Sequence, residues 1–379
     1  MVKSVVKEFK LDSNNEFKFK MKDKSKRVKV TLELKSGLAE IFGMELIKNK
    51  KYEFIANVYF IIVYTWQGCT ITFEFVATSN IMYFIKKNSL MSLYLNCHAL
   101  EQMRETAKKD DTRGPITMIM ESRDVGKSTL CTILLNYAVR IDRKAIFVDL
   151  DINQGHIAIP GTVGASLIER PYNVMEGFNQ QNPLVFHFGD KNPEDNLALY
   201  VSLINTLQNN KKVKASGVVI NTFGINNRIE ENYKLLMYAG QIFEVDMILV
   251  TDQILYNKLV NDMPHFVKIV FLPQVGIKKR IHKLKIENQR LREQSIREYF
   301  YGSWTPLHPH SFEVKWDEVK LYKIEASNSS LMLSNRKDNL KLKAVTPGLN
   351  LLYHLLSVSF IDSPKDDVVQ TNVAGFVCD

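Results

Sequence analysis

The sequence predicts an α/β protein in three parts: an N-terminal antiparallel β-domain, a central domain built on a mostly parallel sheet, and a small C-terminal β-rich domain. Three observations predict it. The first hundred residues alternate apolar and polar positions in short runs, the middle of the chain alternates apolar runs with longer helix-like stretches, and alternation returns after Gly302.

The N-terminal part, residues 1 to 100, contains Phe17-Lys18-Phe19-Lys20, Val28-Lys29-Val30 and Thr70-Ile71-Thr72-Phe73-Glu74-Phe75. A period of two places one face of a strand on a core and the other in water. From Glu101 to Arg113 the spacing of Leu100, Met103, Thr106 and Ala107 becomes helical and stops at Gly114-Pro115, a bridge into the next domain. Across residues 101 to 302, apolar runs at Ile116 to Met120, Ala145 to Leu150, Val218 to Ile220, Met247 to Val250 and Val267 to Leu272 are separated by helix-like segments. That order predicts parallel strands with helices on both faces. A charged helical stretch from Lys278 to Tyr299 closes this part. Residues 303 to 379 return to strand alternation at Phe312-Glu313-Val314-Lys315-Trp316 and Leu340-Lys341-Leu342-Lys343.

Composition narrows the class of function. The 379 residues are 45% hydrophobic and carry a formal charge of +9, which favours polyanionic partners, although a solvated surface accounts for it equally well. Cys69, Cys97, Cys131 and Cys378 form no CxxC pair and have no histidine at zinc-ligand spacing, so they read as reduced, mostly packed thiols of an intracellular protein. The start, MVKSVVKEFK, lacks an apolar signal core, and the run from Ile55 to Trp66 is short and broken by Asn57, so no membrane partner is expected. His98, His156, His187 and His265 have no metal spacing and read as core or surface residues; Trp66, Trp304 and Trp316 read as packing residues.

The chemistry concentrates at two strand ends. Glu121-Ser122-Arg123-Asp124-Val125-Gly126-Lys127-Ser128-Thr129 follows an apolar strand and opens a helix-like run, the context of a phosphate-binding P-loop. In such a loop backbone N–H groups and a helix N-terminus face the phosphates, a lysine reaches the β and γ groups, and a hydroxyl binds Mg²⁺. Lys127 and Ser128 take those positions, and the central part is thereby expected to be a P-loop NTPase domain with ATP and Mg²⁺ as cofactors. Glu121 stands where the first loop glycine belongs, with a side chain that restricts the backbone and a carboxylate able to face the phosphates. The second strand ends Val148-Asp149-Leu150-Asp151-Ile152-Asn153-Gln154-Gly155, which places carboxylates beside the loop at the carboxyl edge of the sheet. Asp149 fits either a functional role or a turn cap; Asp151, three residues before Gln154, reads as functional and as a metal ligand beside Ser128.

With these residues the chain resembles the Clp-one family of polyribonucleotide 5'-hydroxyl kinases, subunits of pre-mRNA cleavage complex II and of the polyadenylation machinery. The likeness runs through Gly37-Leu38-Ala39-Glu40-Ile41-Phe42-Gly43, Thr65-Trp66, Asp124 to Thr129, Leu134 to Val139, Asp151 to Gly155, Ile159-Pro160-Gly161-Thr162, Ile168-Glu169-Arg170-Pro171, Pro264-His265-Phe266-Val267 and Ile296 to Gly302. It implies that Asp124, Val125, Gly126, Lys127, Ser128 and Thr129 wrap the triphosphate and that Glu16 contacts the adenine side. It implies that Asp151 and Gln154 position metal and activate an RNA 5'-hydroxyl, that Pro160-Gly161-Thr162 clasps nucleotide or RNA, and that Arg292 is a lid arginine neutralising charge on the transferred group. It also implies a nuclear protein whose partners are RNA 5' ends, cleavage and polyadenylation factor subunits and the tRNA-splicing endonuclease.

The chain departs from the family pattern at several positions. Besides Glu121, Asn288 replaces the first lid arginine, with Arg290 nearby, and Ile225 replaces a tryptophan that would stack on an RNA base, a contact worth roughly 1–3 kcal/mol. Tyr59 and Phe60 stand where family members carry a lysine near the nucleotide, and the resemblance implies further C-terminal strands after Val373-Ala374-Gly375-Phe376, whose absence leaves that shortened sheet an open edge. Two readings therefore stand: a kinase moving the ATP γ-phosphoryl group to RNA 5'-hydroxyls, and an ATP-occupied scaffold of the 3'-end processing complex with weak turnover or none. A small-metabolite kinase and a degenerate copy are further alternatives.

Overall fold

The alternating runs near the N-terminus become two antiparallel sheets. In the computed structural model, which describes residues 4–21, 29–55, 61–76, 81–87, 91–121, 126–173, 177–179, 182–210, 215–225, 230–272, 281–302, 306–326, 340–361 and 368–378, this part comprises β1 (Ser4–Leu11), β2 (Asn15–Met21), β3 (Lys29–Gly37), β4 (Glu40–Ile41), β5 (Met44–Glu45), β6 (Lys51–Ile55), β7 (Ile61–Thr65), β8 (Cys69–Val76) and β9 (Ile81–Lys87). One sheet has the order β1-β8-β3-β6, the other β5-β4-β7-β2-β9. They pack through an aromatic core in which Phe17 and Phe19 of β2 meet Phe73 of β8 and Phe54 of β6 edge-on or tilted at 4.9–5.3 Å between ring centroids. β2 departs from simple alternation. Phe17 and Phe19 enter this core, yet Glu16 and Lys18 on the opposite face are buried as well, so both faces of the strand are covered.

The helix expected from Glu101 begins earlier, as α1 (Met91–Lys109). The central sheet then runs β10 (Ile116–Ile119), β11 (Ile146–Asp149), β12 (Thr162–Leu167), β13 (Leu184–His187), β14 (Val218–Asn221), β15 (Met247–Val250) and β16 (Lys268–Phe271), ordered β13-β12-β11-β14-β10-β15-β16. The five strands expected from sequence are parallel. β12 and β13 extend the sheet antiparallel at one edge. β12 contains Gly164 and the polar Thr162 and Ser166, which weakens the apolar signal on which the sequence reading relied.

Among the described residues, five α-helices besides α1 surround the sheet and follow it: α2 (Lys127–Arg140), α3 (Leu197–Asn210), α4 (Glu230–Ile242), α5 (Gln253–Asp262) and α6 (Ile281–Tyr301). Both sheet faces are dry, as parallel sheets require. Met118, Val148, Ile220 and Ile248 pack with Leu203, Leu236 and Leu259 of α3, α4 and α5. Their neighbours Ile119, Phe147, Val219 and Leu249 point the other way, onto Leu100 of α1 and Leu134, Leu135 and Ala138 of α2.

The C-terminal part forms two hairpins, β17 (Tyr322–Ala326) with β18 (Leu340–Ala344), and β19 (Leu355–Ser359) with β20 (Val373–Cys378). Phe376 of β20 packs with Ile159 and Val185, and its N–H donates to the Tyr299 hydroxyl of α6 at 3.2 Å. The alternating segment Phe312 to Trp316 forms no strand. Phe312, Val314 and Trp316 are exposed, so Trp316 is not the packing residue expected, and Trp304 lies outside the described residues. Alternation alone cannot make a strand where no neighbouring strand supplies backbone partners. Cys69 and Cys131 are buried and Cys97 is half-buried, whereas Cys378 is exposed, against the expectation of packing. No described helix is long and apolar enough to cross a membrane.

Candidate functional site

β10 is the pivot of the sheet, with β14 on one side and β15 on the other. Strand order reverses there, so the crevice at its carboxyl end is the place where this architecture holds ligands. The chain leaving β10 passes Glu121 and enters α2 through Gly126, whose φ of 96° lies in the left-handed region that glycine adopts without strain. A Cβ built on Gly126 would meet nothing within 4 Å, so the space before the helix is open, and Gly126 offers no side chain to cap the first-turn amides. Those amides, the helix dipole and the buried Lys127 on the first turn together suit a phosphate chain. Asp124 and Val125 lie outside the described residues, as do Tyr59 and Phe60. Thr129 sits on the first turn of α2, half-buried.

Glu121 neither faces the open crevice nor reaches solvent. It is fully buried; its carboxylate accepts the Thr251 backbone N–H and, at 2.8 Å, the Thr251 hydroxyl. Burial pushes its pKa up to about 7, opposed by the Thr251 hydrogen bonds and by the Lys127 charge. The sequence left this carboxylate able to face the phosphates; the structure turns it onto the residue that follows β15 instead.

The second strand end supplies the opposite wall. Asp149 is buried and accepts three donors: Asp151 N–H at 3.1 Å, Asn221 Nδ2 at 2.8 Å and His156 N–H at 2.9 Å. Burial and the neighbouring Asp151 charge raise its pKa, while the charge of His156 and the hydrogen bonds from His156 and Asn221 pull it down. Asp149 therefore organises the turn, the capping role that the sequence left open. Asp151, also buried, uses Oδ1 to accept Asn153 N–H at 3.0 Å. The turn closes tightly: Gly155 has φ 62°, a Cβ there would overlap the backbone of Ile159 and Pro160, and Gly161 N–H donates to Ile152 at 2.8 Å. Within the clasp, the Thr162 hydroxyl is spent on Ile159 C=O at 2.7 Å.

The two walls meet at Ser128. Its hydroxyl donates to Gln154 Oε1 at 3.4 Å and lies 2.6 Å from His156 Nε2. From α6 the half-buried Arg292 reaches Asn153 Oδ1 at 3.4 Å, whereas Arg290 and Arg297 are exposed. Lys127, Ser128, Asp151, Gln154 and Arg292 thus gather around one crevice although they come from three distant segments. His156, which sequence reasoning set aside for want of metal spacing, belongs to the same cluster; its position in the turn after Asp151 was the available signal. Asn153, Asn221 and Thr251 were missed too, and only the strand order brings Thr251 beside Glu121.

The residues fit a triphosphate with a hard cation. Ser128 and Asp151 offer oxygen donors of the kind that Mg²⁺ takes beside phosphate oxygens, and among the described residues no three His, Cys, Asp or Glu side chains form a metal cage. Glu16 is almost fully buried, its Oε2 ion-paired with Lys18 Nζ at 2.7 Å, whereas Oε1 has no hydrogen-bond partner among the described residues. Such an acceptor suits an amino group of a base. Ile225 is buried in the main core, its N–H donating to Glu121 C=O at 2.9 Å, so this position offers no surface for stacking. The side chain of Asn288 lies outside the described residues.

The sandwich rides on the same helix that opens at Lys127. Asn136 Nδ2 donates to Phe42 C=O at 2.7 Å, the Tyr137 hydroxyl to Glu40 Oε1 at 2.6 Å, and Arg140 to Glu40 Oε2 at 2.9 Å and to Glu45. Trp66 joins through its indole N–H to the Tyr137 hydroxyl at 3.3 Å, a packing role as expected.

Comparison with known proteins agrees with this arrangement. Residues 121–302 match the family model described as the mRNA cleavage and polyadenylation factor CLP1 P-loop, residues 10–107 the N-terminal β-sandwich domain of polyadenylation factor, and residues 307–378 the pre-mRNA cleavage complex II protein Clp1. A Culex quinquefasciatus protein named CLP1 homolog is 46% identical over 98% of this chain and 89% of its own length. The chain belongs to the Clp1 family. Relatives named polyribonucleotide 5'-hydroxyl-kinase Clp1 are 43% identical in Gallus gallus, over 99% of this chain and 89% of the relative, and 42% identical in Homo sapiens, over 97% and 88%. The fold matches the Clp1 chain of a solved wild-type Clp1p–Pcf11p complex with a TM-score of 0.78 at 22% identity, covering 98% of this chain and 90% of that one. As a Clp1 family member the chain carries a P-loop nucleotide-binding domain, and the α/β architecture expected from sequence is the one observed.

Proposed function

We propose that this chain binds ATP with Mg²⁺ and transfers the γ-phosphoryl group to RNA 5'-hydroxyl ends as a nuclear subunit of the pre-mRNA 3'-end cleavage and polyadenylation machinery. The carrying observation is the convergence of Lys127 and Ser128 at the start of α2 with Asp151 and Gln154 on the facing turn, linked through Ser128 to Gln154. The names of the relatives, polyribonucleotide 5'-hydroxyl kinase and cleavage complex II protein, support the substrate and the assembly. The Clp1p–Pcf11p complexes support a partner among cleavage-factor subunits; the tRNA-splicing endonuclease is a partner that the family resemblance alone implies.

Bound Mg²⁺ would neutralise phosphate charge. The remaining work falls to the chain. The α2 amides and Lys127 hold the phosphates, Ser128 and Asp151 offer the cation its oxygen ligands, and Glu16 receives the adenine side. Asp151 keeps one carboxylate oxygen uncommitted to Asn153 and takes the proton of the attacking hydroxyl, while Gln154 orients it. Arg292, aimed at the turn by Asn153, adds positive charge where it develops during transfer.

A second reading, an ATP-occupied scaffold with little or no turnover, is favoured by the burial of Ile225, which removes the base-stacking surface, and by Asn288 in place of a lid arginine. Transfer of labelled γ-phosphate from ATP to a 5'-hydroxyl RNA oligonucleotide, with ATP binding followed in parallel, separates the two. Transfer that disappears in Asp151→Ala establishes the kinase; tight ATP binding without transfer establishes the scaffold and overturns the first reading.

A further inference from the structure

His156 stands against the hydroxyl that a P-loop uses for its cation, and no feature of the phosphate-transfer reading above makes use of it. Three donors of different chemistry converge there: Ser128 Oγ, His156 Nε2 at 2.6 Å from it and Gln154 Oε1 at 3.4 Å. Adjacent ligands of one octahedral ion with bonds of about 2.1 Å sit about 3 Å apart, a separation that Ser128 Oγ and His156 Nε2 reach by moving apart a few tenths of an ångström. The ring is placed by the scaffold rather than by one contact. His156 N–H is tied to Asp149 Oδ2 at 2.9 Å, Gly155 turns the chain immediately before it, and Ile152 C=O accepts Gly161 N–H at the far end of the turn.

We propose that His156 supplies an imidazole ligand to the divalent cation of this nucleotide site, so that the site takes a borderline first-row ion such as Co²⁺ with ATP more readily, relative to Mg²⁺, than an all-oxygen site does. The inference rests on the nucleotide-binding reading of the preceding section, but not on transfer to RNA. Its chemistry is that of the donor set. Mg²⁺ favours oxygen ligands and keeps its waters, whereas imidazole nitrogen strengthens binding along the first-row series. Ser128 and Asp151 supply oxygen to either class; His156 alone distinguishes them.

The test uses the full chain with ATP and no RNA. Pulsed electron paramagnetic resonance of bound Mn²⁺·ATP reads nitrogen coordination directly, and competition binding gives the dissociation constants of Mn²⁺·ATP, Co²⁺·ATP and Mg²⁺·ATP. The wild-type chain is expected to show ¹⁴N modulation that vanishes in His156→Ser and His156→Asn, both of which retain the backbone N–H to Asp149. In those variants the preference for Co²⁺·ATP over Mg²⁺·ATP should fall about tenfold, in the range that loss of a ligand-supporting group produces. Bound Mn²⁺·ATP with no nitrogen modulation in the wild type overturns the imidazole assignment and leaves the nucleotide site standing. Modulation that persists in both variants overturns it equally, and failure of every metal–ATP pair to bind removes the nucleotide reading together with it.

Discussion

The buried carboxylate of Glu121 accepts both the backbone N–H and the hydroxyl of Thr251, tying the first residue of the phosphate loop to the end of the neighbouring strand. The same residue receives Ile225 N–H on its carbonyl, so three segments leaving the carboxyl edge of the sheet are joined through one side chain and its backbone. A glycine at this position could make only the last of these contacts. The substitution that looked in sequence like damage to a phosphate site is a structural fastener, and it brings a titration with it.

Glu121 holds its proton to about pH 7 in the folded chain, against an ordinary value of 4.5. Between these values the native state binds more protons than the unfolded state, so stability falls as pH rises from about 4.5 to about 7 and this contribution is flat above. The size is about 3 kcal/mol. Urea unfolding of wild type and Glu121→Gln at pH 5 and pH 8 should show the wild type losing that much more than the variant; parallel pH profiles would place the titration elsewhere.

Lys127→Ala removes the cation at the open end of α2 and should weaken ATP binding by about 3 kcal/mol, more than 100-fold, without altering the circular dichroism spectrum. Calorimetric titration with ATP measures it. An unchanged dissociation constant would mean that the phosphates lie elsewhere.

Asp149 and Asp151 should separate by phenotype. Asp149→Ala strands three buried donors, those of Asp151, Asn221 and His156, and should cost about 3 kcal/mol of stability. Asp151→Ala strands only Asn153 N–H, and should cost about 1 kcal/mol while abolishing phosphoryl transfer. Thermal melts alongside the transfer assay distinguish an organising carboxylate from a reacting one.

Arg140→Ala should loosen the sandwich from α2. Glu40 is buried and would lose the guanidinium donor at its Oε2, a loss of about 2 kcal/mol. Limited proteolysis should then release a sandwich fragment that the wild type does not yield; identical digestion patterns would show that the apolar contacts suffice.

Much of this protein was legible in order along the chain. Periodicity of two announced β2 and β8, apolar runs located the five parallel strands within one or two residues, and Gly126-Lys127-Ser128 marked a helix start because strand, loop and helix follow one another locally. Asp151 and Gln154 could be placed in the turn after β11 for the same reason, since the carboxyl end of a parallel strand is fixed by its own sequence. Phe312 to Trp316 shows the limit of such reasoning: alternation is a local property, but a strand needs a neighbour.

What the sequence determined by itself, then, is the identity of the elements and the residue types at their ends, because these follow from backbone geometry and hydrophobic spacing within ten or so residues. Only the tertiary structure decided that Glu121 turns onto Thr251, that Asp149 organises while Asp151 stays available, and that His156 stands against Ser128. These pairs are 130, 2 and 28 residues apart, and their meeting depends on strand order and on which face of a turn a side chain takes, quantities that packing sets and local propensity does not carry.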